Sequence, residues 1–181
     1  MSEESRTVSS EVEKKGFAIA DLILVAVLIA AGAVLKITVG SVINFFGMKP
    51  NFIIAMYCLA IALIRPKFYQ SAIIGLIVGA VCQFLPGTPW LNFASELVGA
   101  CCMYLLLKGM KALTKANLEV SISTLISSAV SGATYVVCLF VFTGAEASAL
   151  VAYVPIVLCT SILNAVIVQL LYMPLKKMLK K

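Results

Sequence analysis

The stretch FAIADLILVAVLIAAGAVL, residues 17–35, decides the fold. It is close to the roughly 20 predominantly apolar residues that an α-helix needs to cross a bilayer. Residues 1–16, which precede it, are polar and mixed in charge, and no small-residue cleavage site follows the run. It therefore reads as a retained first span rather than a cleaved signal. Five more apolar runs follow, at about 50–64, 68–85, 91–107, 118–142 and 149–175. They are separated by a loop from Lys36 to Lys49, the basic turn Arg65-Pro66-Lys67, the break Pro86-Gly87-Thr88-Pro89, a basic linker from Lys108 to Asn117, and a short loop from Thr143 to Ser148. Clustered Pro and Gly punctuate a chain in this way because neither continues a helix well.

The composition points the same way. Of 181 residues, 62% are apolar and only 12% are charged. The mean hydropathy is +1.07. A water-soluble domain of this length is closer to half apolar and needs far more charge on its surface. The predicted fold is all-α, an integral membrane bundle of six transmembrane helices. It divides into an N-terminal tail (1–16), a membrane domain (17–175) and a basic C-terminus (176–181).

Six spans place both ends on one side, and the positive residues say which. Arg6, Lys14, Lys15, Arg65, Lys67, Lys108, Lys111, Lys115, Lys176, Lys177, Lys180 and Lys181 fall on the side of the termini. Only Lys36 and Lys49 fall on the other, so all 14 Lys and Arg are placed. Loops rich in Lys and Arg stay in the cytoplasm. Both termini are thus expected to be cytoplasmic, and the first, third and fifth loops to face outward. Those outer segments carry Lys49, Asn51, Thr88, Trp90, Asn92, Glu96 and Glu146. A site for an external solute is expected among them.

Glu96 stands about one turn inside the fourth run. A carboxylate at that depth needs water, a cation or a hydrogen-bonding partner. It is either an interfacial side chain reaching for water or a ligand for a cationic group such as an amine. Lys49 is either an interfacial anchor or a partner for Glu96 or for a ligand carboxylate. The two charges together would match an amino-acid zwitterion. Trp90, the single Trp, suits an interfacial belt or a stacking cap over a ring. Asn92 is a helix N-cap or a pocket donor. Asn164 lies deep in the sixth run, where an unpaired amide is costly. It bonds another helix or lines a polar cavity. Gln83, Ser131, Thr134 and Tyr135 are weaker candidates of the same kind. Ala26 and Ala30 are small residues four apart in the first run, a spacing that lets another helix approach closely.

Several function classes drop out. There is no His among the 181 residues, so His-based triads and zinc-protease motifs are excluded. No Walker A sequence is present. The six Cys lie in apolar runs without metal-ligand spacing and read as small packing residues. No enzyme activity, catalytic residue, metal or cofactor is expected. The net charge of +6 comes from Lys and Arg beside the spans, not from a basic face, so nucleic acid is not an expected partner.

At Gly47-Met48-Lys49-Pro50-Asn51, at Arg65-Pro66, from Gly75 to Gly79, and at Pro86-Gly87-Thr88-Pro89-Trp90-Leu91-Asn92, the chain resembles the bacterial tryptophan transport protein family. That family is similar to the substrate-binding S components of energy-coupling factor (ECF) transporters. The resemblance implies a six-helix S-component-like protein that binds one small metabolite from outside, most simply tryptophan or a related aromatic compound. It implies a membrane coupling subunit and two cytoplasmic ATPases as partners, with delivery of the substrate by toppling in the bilayer. It implies docking through Ala26 and Ala30. It also implies a pocket built from the last three helices and outer loops, which here points to Trp90, Asn92, Glu96, Tyr135 and Asn164, with Lys49 from the edge of the second helix. Two other readings stand beside it: a solitary secondary transporter, and a membrane scaffold without a ligand.

Overall fold

The structure, a computed structural model, describes residues 17–42, 50–86, 88, 90–110, 118–144 and 147–179. They form six helices: α1 (Ile19–Val42), α2 (Ile53–Ile64), α3 (Phe68–Cys82), α4 (Leu91–Gly109), α5 (Leu118–Thr143) and α6 (Ala147–Leu179). Among the described residues there is no strand. The expected spans and the helices agree in number and order. Lys49 and Glu146 lie outside the described residues.

Four helices, α1, α4, α5 and α6, are long and apolar enough to cross a membrane. The other two are short. At 1.5 Å per residue, α2 and α3 span roughly 18 and 22 Å, less than the roughly 30 Å hydrocarbon core. The position of α2 explains how it tolerates this. Every residue from Ile53 to Ala62 is buried, and α2 touches all five other helices. A helix that is apolar all round belongs in an interior. Pro50 and Phe52, just before its first residue, are buried, so the non-helical backbone entering α2 is sheltered by protein. Around it, α3 packs on α4, α4 on α5 and α5 on α6, while α1 packs on α2 and α3.

Two glycines allow α3 and α4 to meet closely. A Cβ on Gly75 would lie 2.7 Å from the Glu96 carbonyl oxygen and 2.9 Å from Leu97 Cα. One on Gly79 would lie 2.9 Å from Phe93 Cα. Side chains four apart share one helix face, so the Gly75–Gly79 stripe seats α4 by its backbone. That contact fixes the height and rotation of Glu96.

The opposite end of α2 is held by an ion pair. Arg65 caps the helix in the left-handed region, at φ 54°. Its guanidinium donates to Glu119 Oε1 at 2.8 Å and makes a longer contact with the Leu107 carbonyl, 3.5 Å. One side chain thereby ties α2 to the end of α4 and the start of α5. Glu119 is buried. Beyond the turn, Gln70 accepts from the Lys67 backbone N–H at 2.8 Å, which satisfies a donor at the start of α3.

One boundary needs correction. The first span was expected to end at Leu35, with Lys36 opening an outer loop. Instead α1 continues to Val42, and Lys36 is a buried helical residue. The reason is the face it occupies. Val25, Leu28, Ile29 and Gly32 form the inward stripe of α1. Lys36 continues it at helical spacing, so its charge points into the bundle rather than into lipid.

Candidate functional site

A cavity of about 340 Å³ opens between α2, α4, α5 and α6 at the end opposite Arg65. Its size lies at the small end of the roughly 300–1,000 Å³ typical of small-molecule sites. One wall is polar: Lys36 from α1, Asn51 from the segment before α2, and Asn92, Ser95 and Glu96 from α4. The facing wall is mixed: Tyr135 and Val136 from α5 and Tyr153, Ile156 and Val157 from α6 give it an aromatic and aliphatic part, and Ser128, Ser131 and Thr160 add hydroxyls.

Glu96 is fully buried at 0% exposure. Asn51 Nδ2 donates to Glu96 Oε1 at 2.6 Å. Among the described residues the second oxygen, Oε2, receives the Ser131 hydroxyl at a long 3.5 Å, and the Tyr57 hydroxyl and the Lys36 ammonium also act on the carboxylate. An ionised carboxylate accepts about four hydrogen bonds, and leaving that capacity unused inside a bundle is costly. The site therefore keeps acceptor strength in reserve beside an open space. The Tyr57 hydroxyl shares this corner. It lies against Gly99 and Ser131, in space that a Cβ on Gly99 would take.

Asn51 is itself held. Asn164, fully buried on α6, donates to the Asn51 carbonyl at 3.2 Å and to Ser128 Oγ at 2.9 Å. Asn164 does not line the cavity. It joins α6 to α5 and to the strand of chain that presents Asn51, and Asn51 in turn orients Glu96. Its role in this geometry is positioning.

The other expected residues fall into two groups. Asn92 and Tyr135 line the cavity. The Tyr135 hydroxyl accepts from the Thr88 backbone N–H at 3.3 Å, and Thr88 lines the cavity as well. Trp90 does not line it. Its backbone, at φ 69°, turns the side chain outward to 75% exposure, where it stacks on Phe93 at 6.1 Å between centroids. The backbone N–H of Trp90 donates to Gln83 Oε1 at 2.8 Å. Ala26 and Ala30 are exposed on the outer face of α1.

Sequence reasoning missed Lys36, Asn51 and Tyr153 as site residues. Lys36 was readable from the 25, 28/29, 32, 36 periodicity of α1. Asn51 stood out only as a polar residue of the outer segments, and nothing local marks Tyr153. Among the described residues, no cluster of three or more His, Cys, Asp or Glu side chains is arranged to hold a metal ion.

Comparison with known proteins gives two matches. Residues 18–180 match the family described as tryptophan transporter TrpP. A protein of Clostridium acetobutylicum named as a probable tryptophan transport protein is 25% identical over 162 residues, which cover 88% of this chain and 93% of that protein. No solved structure matches significantly.

Proposed function

The chain belongs to the tryptophan transporter family TrpP, and on that premise we propose that it is a substrate-capture subunit, holding tryptophan in the Glu96 cavity and working with an ECF-type ATP-driven coupling module. Family membership gives it a membrane transport role for tryptophan, and it is a multi-pass membrane protein. The finer reading rests on the cavity.

The observation that carries it is the under-coordinated Glu96 carboxylate beside a small cavity with an aromatic wall. An ammonium group would supply the donors that Oε2 lacks, and charge-assisted hydrogen bonds are the strong ones. The indole would lie against Tyr135 and Tyr153, since aromatic rings gain from offset or edge contacts beyond the area they bury. Asn92 and Ser95 supply polar atoms beside the carboxylate. The cavity faces outward if the termini are cytoplasmic, the orientation that the distribution of Lys and Arg favours.

Two features support the coupling module. No Walker A sequence is present, and Ala26 and Ala30 are exposed on α1 instead of being used in packing. A flat stripe of small residues on a lipid-facing helix suits close approach by a partner helix. The partners in this reading are one transmembrane coupling subunit and two ATPase subunits.

Reconstitution tests the proposal. Proteoliposomes holding this chain alone are expected to bind labelled tryptophan without accumulating it, with or without a proton gradient. Addition of the coupling subunit and both ATPases, with ATP inside, is expected to start accumulation. Accumulation by the chain alone under a proton or sodium gradient would identify it as a solitary secondary transporter instead.

A further inference from the structure

We propose that Lys36 is the carboxylate anchor of the cavity, so that the site selects α-amino acids with a free carboxylate over the corresponding amines. This rests on the reading that the cavity binds tryptophan. It assigns to Lys36, a helical residue, the carboxylate contact for which the sequence alone offers Lys49, and it turns that contact into a test of selectivity.

Lys36 is only 6% exposed, although it sits in a helix whose neighbours Val34 and Ile37 face outward. Lysines near helix ends usually stretch toward water along their own stems. This one does not. It turns inward and lines the cavity. Its ammonium donates to Cys82 Sγ at 3.8 Å, and sulfur is a weak acceptor. Among the described residues no carboxylate forms a salt bridge with it. Glu96, on the same cavity, is already engaged by Asn51.

Among the described residues this buried ammonium has one weak acceptor at hydrogen-bonding distance, Cys82 Sγ, and meets the Glu96 charge only across the cavity, which leaves the site incomplete. Ionisable residues inside a membrane bundle pair with each other, with backbone carbonyls or with what they transport. The cavity separates a cation from an anion without letting them close on each other. A zwitterion placed between them satisfies both at once, its carboxylate on Lys36 and its ammonium on Glu96. An amine without a carboxylate would satisfy only Glu96, and would leave Lys36 as unmatched as it is in the empty cavity.

The test pairs one change in the protein with one change in the ligand. Equilibrium binding of L-tryptophan and of tryptamine, which lacks the carboxylate, is measured on the purified chain and on Lys36→Met and Lys36→Gln. The intact chain is expected to prefer L-tryptophan by at least about tenfold, as a charge-assisted contact would give. Both variants are expected to lose most of that preference, because L-tryptophan weakens while tryptamine changes little. This non-additivity marks a direct contact. If either folded variant keeps the preference, or weakens both ligands equally, Lys36 is not the anchor, whereas the tryptophan site itself stands. If the intact chain binds neither compound, the tryptophan reading fails and the anchor with it.

Discussion

Replacing Glu96 by glutamine is expected to weaken tryptophan binding by at least about 30-fold, which corresponds to roughly 2 kcal/mol or more. The amide is nearly the same size and can still meet Asn51 and Ser131. What it lacks is charge. A buried carboxylate is costly to keep in a bundle, but its loss also takes an anion away from the buried Lys36 ammonium on the same cavity. The two effects oppose, and the variant without ligand should melt near the temperature of the parent. Loss of binding with unchanged stability is the signature of a residue kept for its ligand. If Glu96 were only a packing detail, the same change would leave binding intact. Isothermal titration of the purified variant, together with its thermal unfolding in detergent, reads both quantities.

Arg65→Met should have the largest effect on stability and little on binding. Glu119 is left buried without its cation, at 4% side-chain exposure. Removing one partner of a fully buried pair typically costs about 3–5 kcal/mol. The Arg65 side chain is 35% exposed, so part of that cost is screened, and a loss of about 2–3 kcal/mol is expected. The double variant Arg65→Met with Glu119→Leu should recover most of it, because no unpaired charge remains. Tryptophan affinity of the folded single variant should stay near the parent value, since the pair lies at the end of α2 away from Asn51 and Glu96. Denaturant titration of the three proteins measures the stability effect. A single variant as stable as the parent would show that the ion pair contributes little to joining α2, α4 and α5.

The large features of the fold were legible for one physical reason: lipid does not tolerate charge. Breaks at Arg65–Lys67 and at Pro86 mark where helices end, and the structure ends α2 and α3 within a few residues of them. The same rule picked out Glu96 and Asn164, polar groups set in apolar runs. It failed at Lys36 because hydropathy registers that a charge is present but not which way it faces. A lysine pointing into a polar cavity does not end a helix, and α1 runs on past it to Val42. Helical spacing with Gly32 and Ile29 carried the missing direction.

The site was only half legible for a related reason. Residue type marks chemistry, while backbone geometry decides where it is aimed. Trp90 has the character of a ring-stacking residue, yet its positive φ turns it outward onto Phe93. Asn164 has the character of a cavity donor, yet its amide nitrogen donates to Ser128 and the Asn51 backbone. Asn51 is marked in the sequence only as one polar residue of the outer segments, and packing brings it within 2.6 Å of Glu96 across 45 residues of chain. Contacts of that separation are set by how helices pack, and no local pattern encodes them.

The most direct measurement is a titration of the purified, unmodified chain with L-tryptophan in detergent or nanodiscs, in the absence of any other subunit. One saturable site per chain is expected, with thermal stabilisation that grows with ligand concentration by mass action. A chain that is folded and intact but shows neither saturable binding nor stabilisation by tryptophan would contradict the assignment of this cavity.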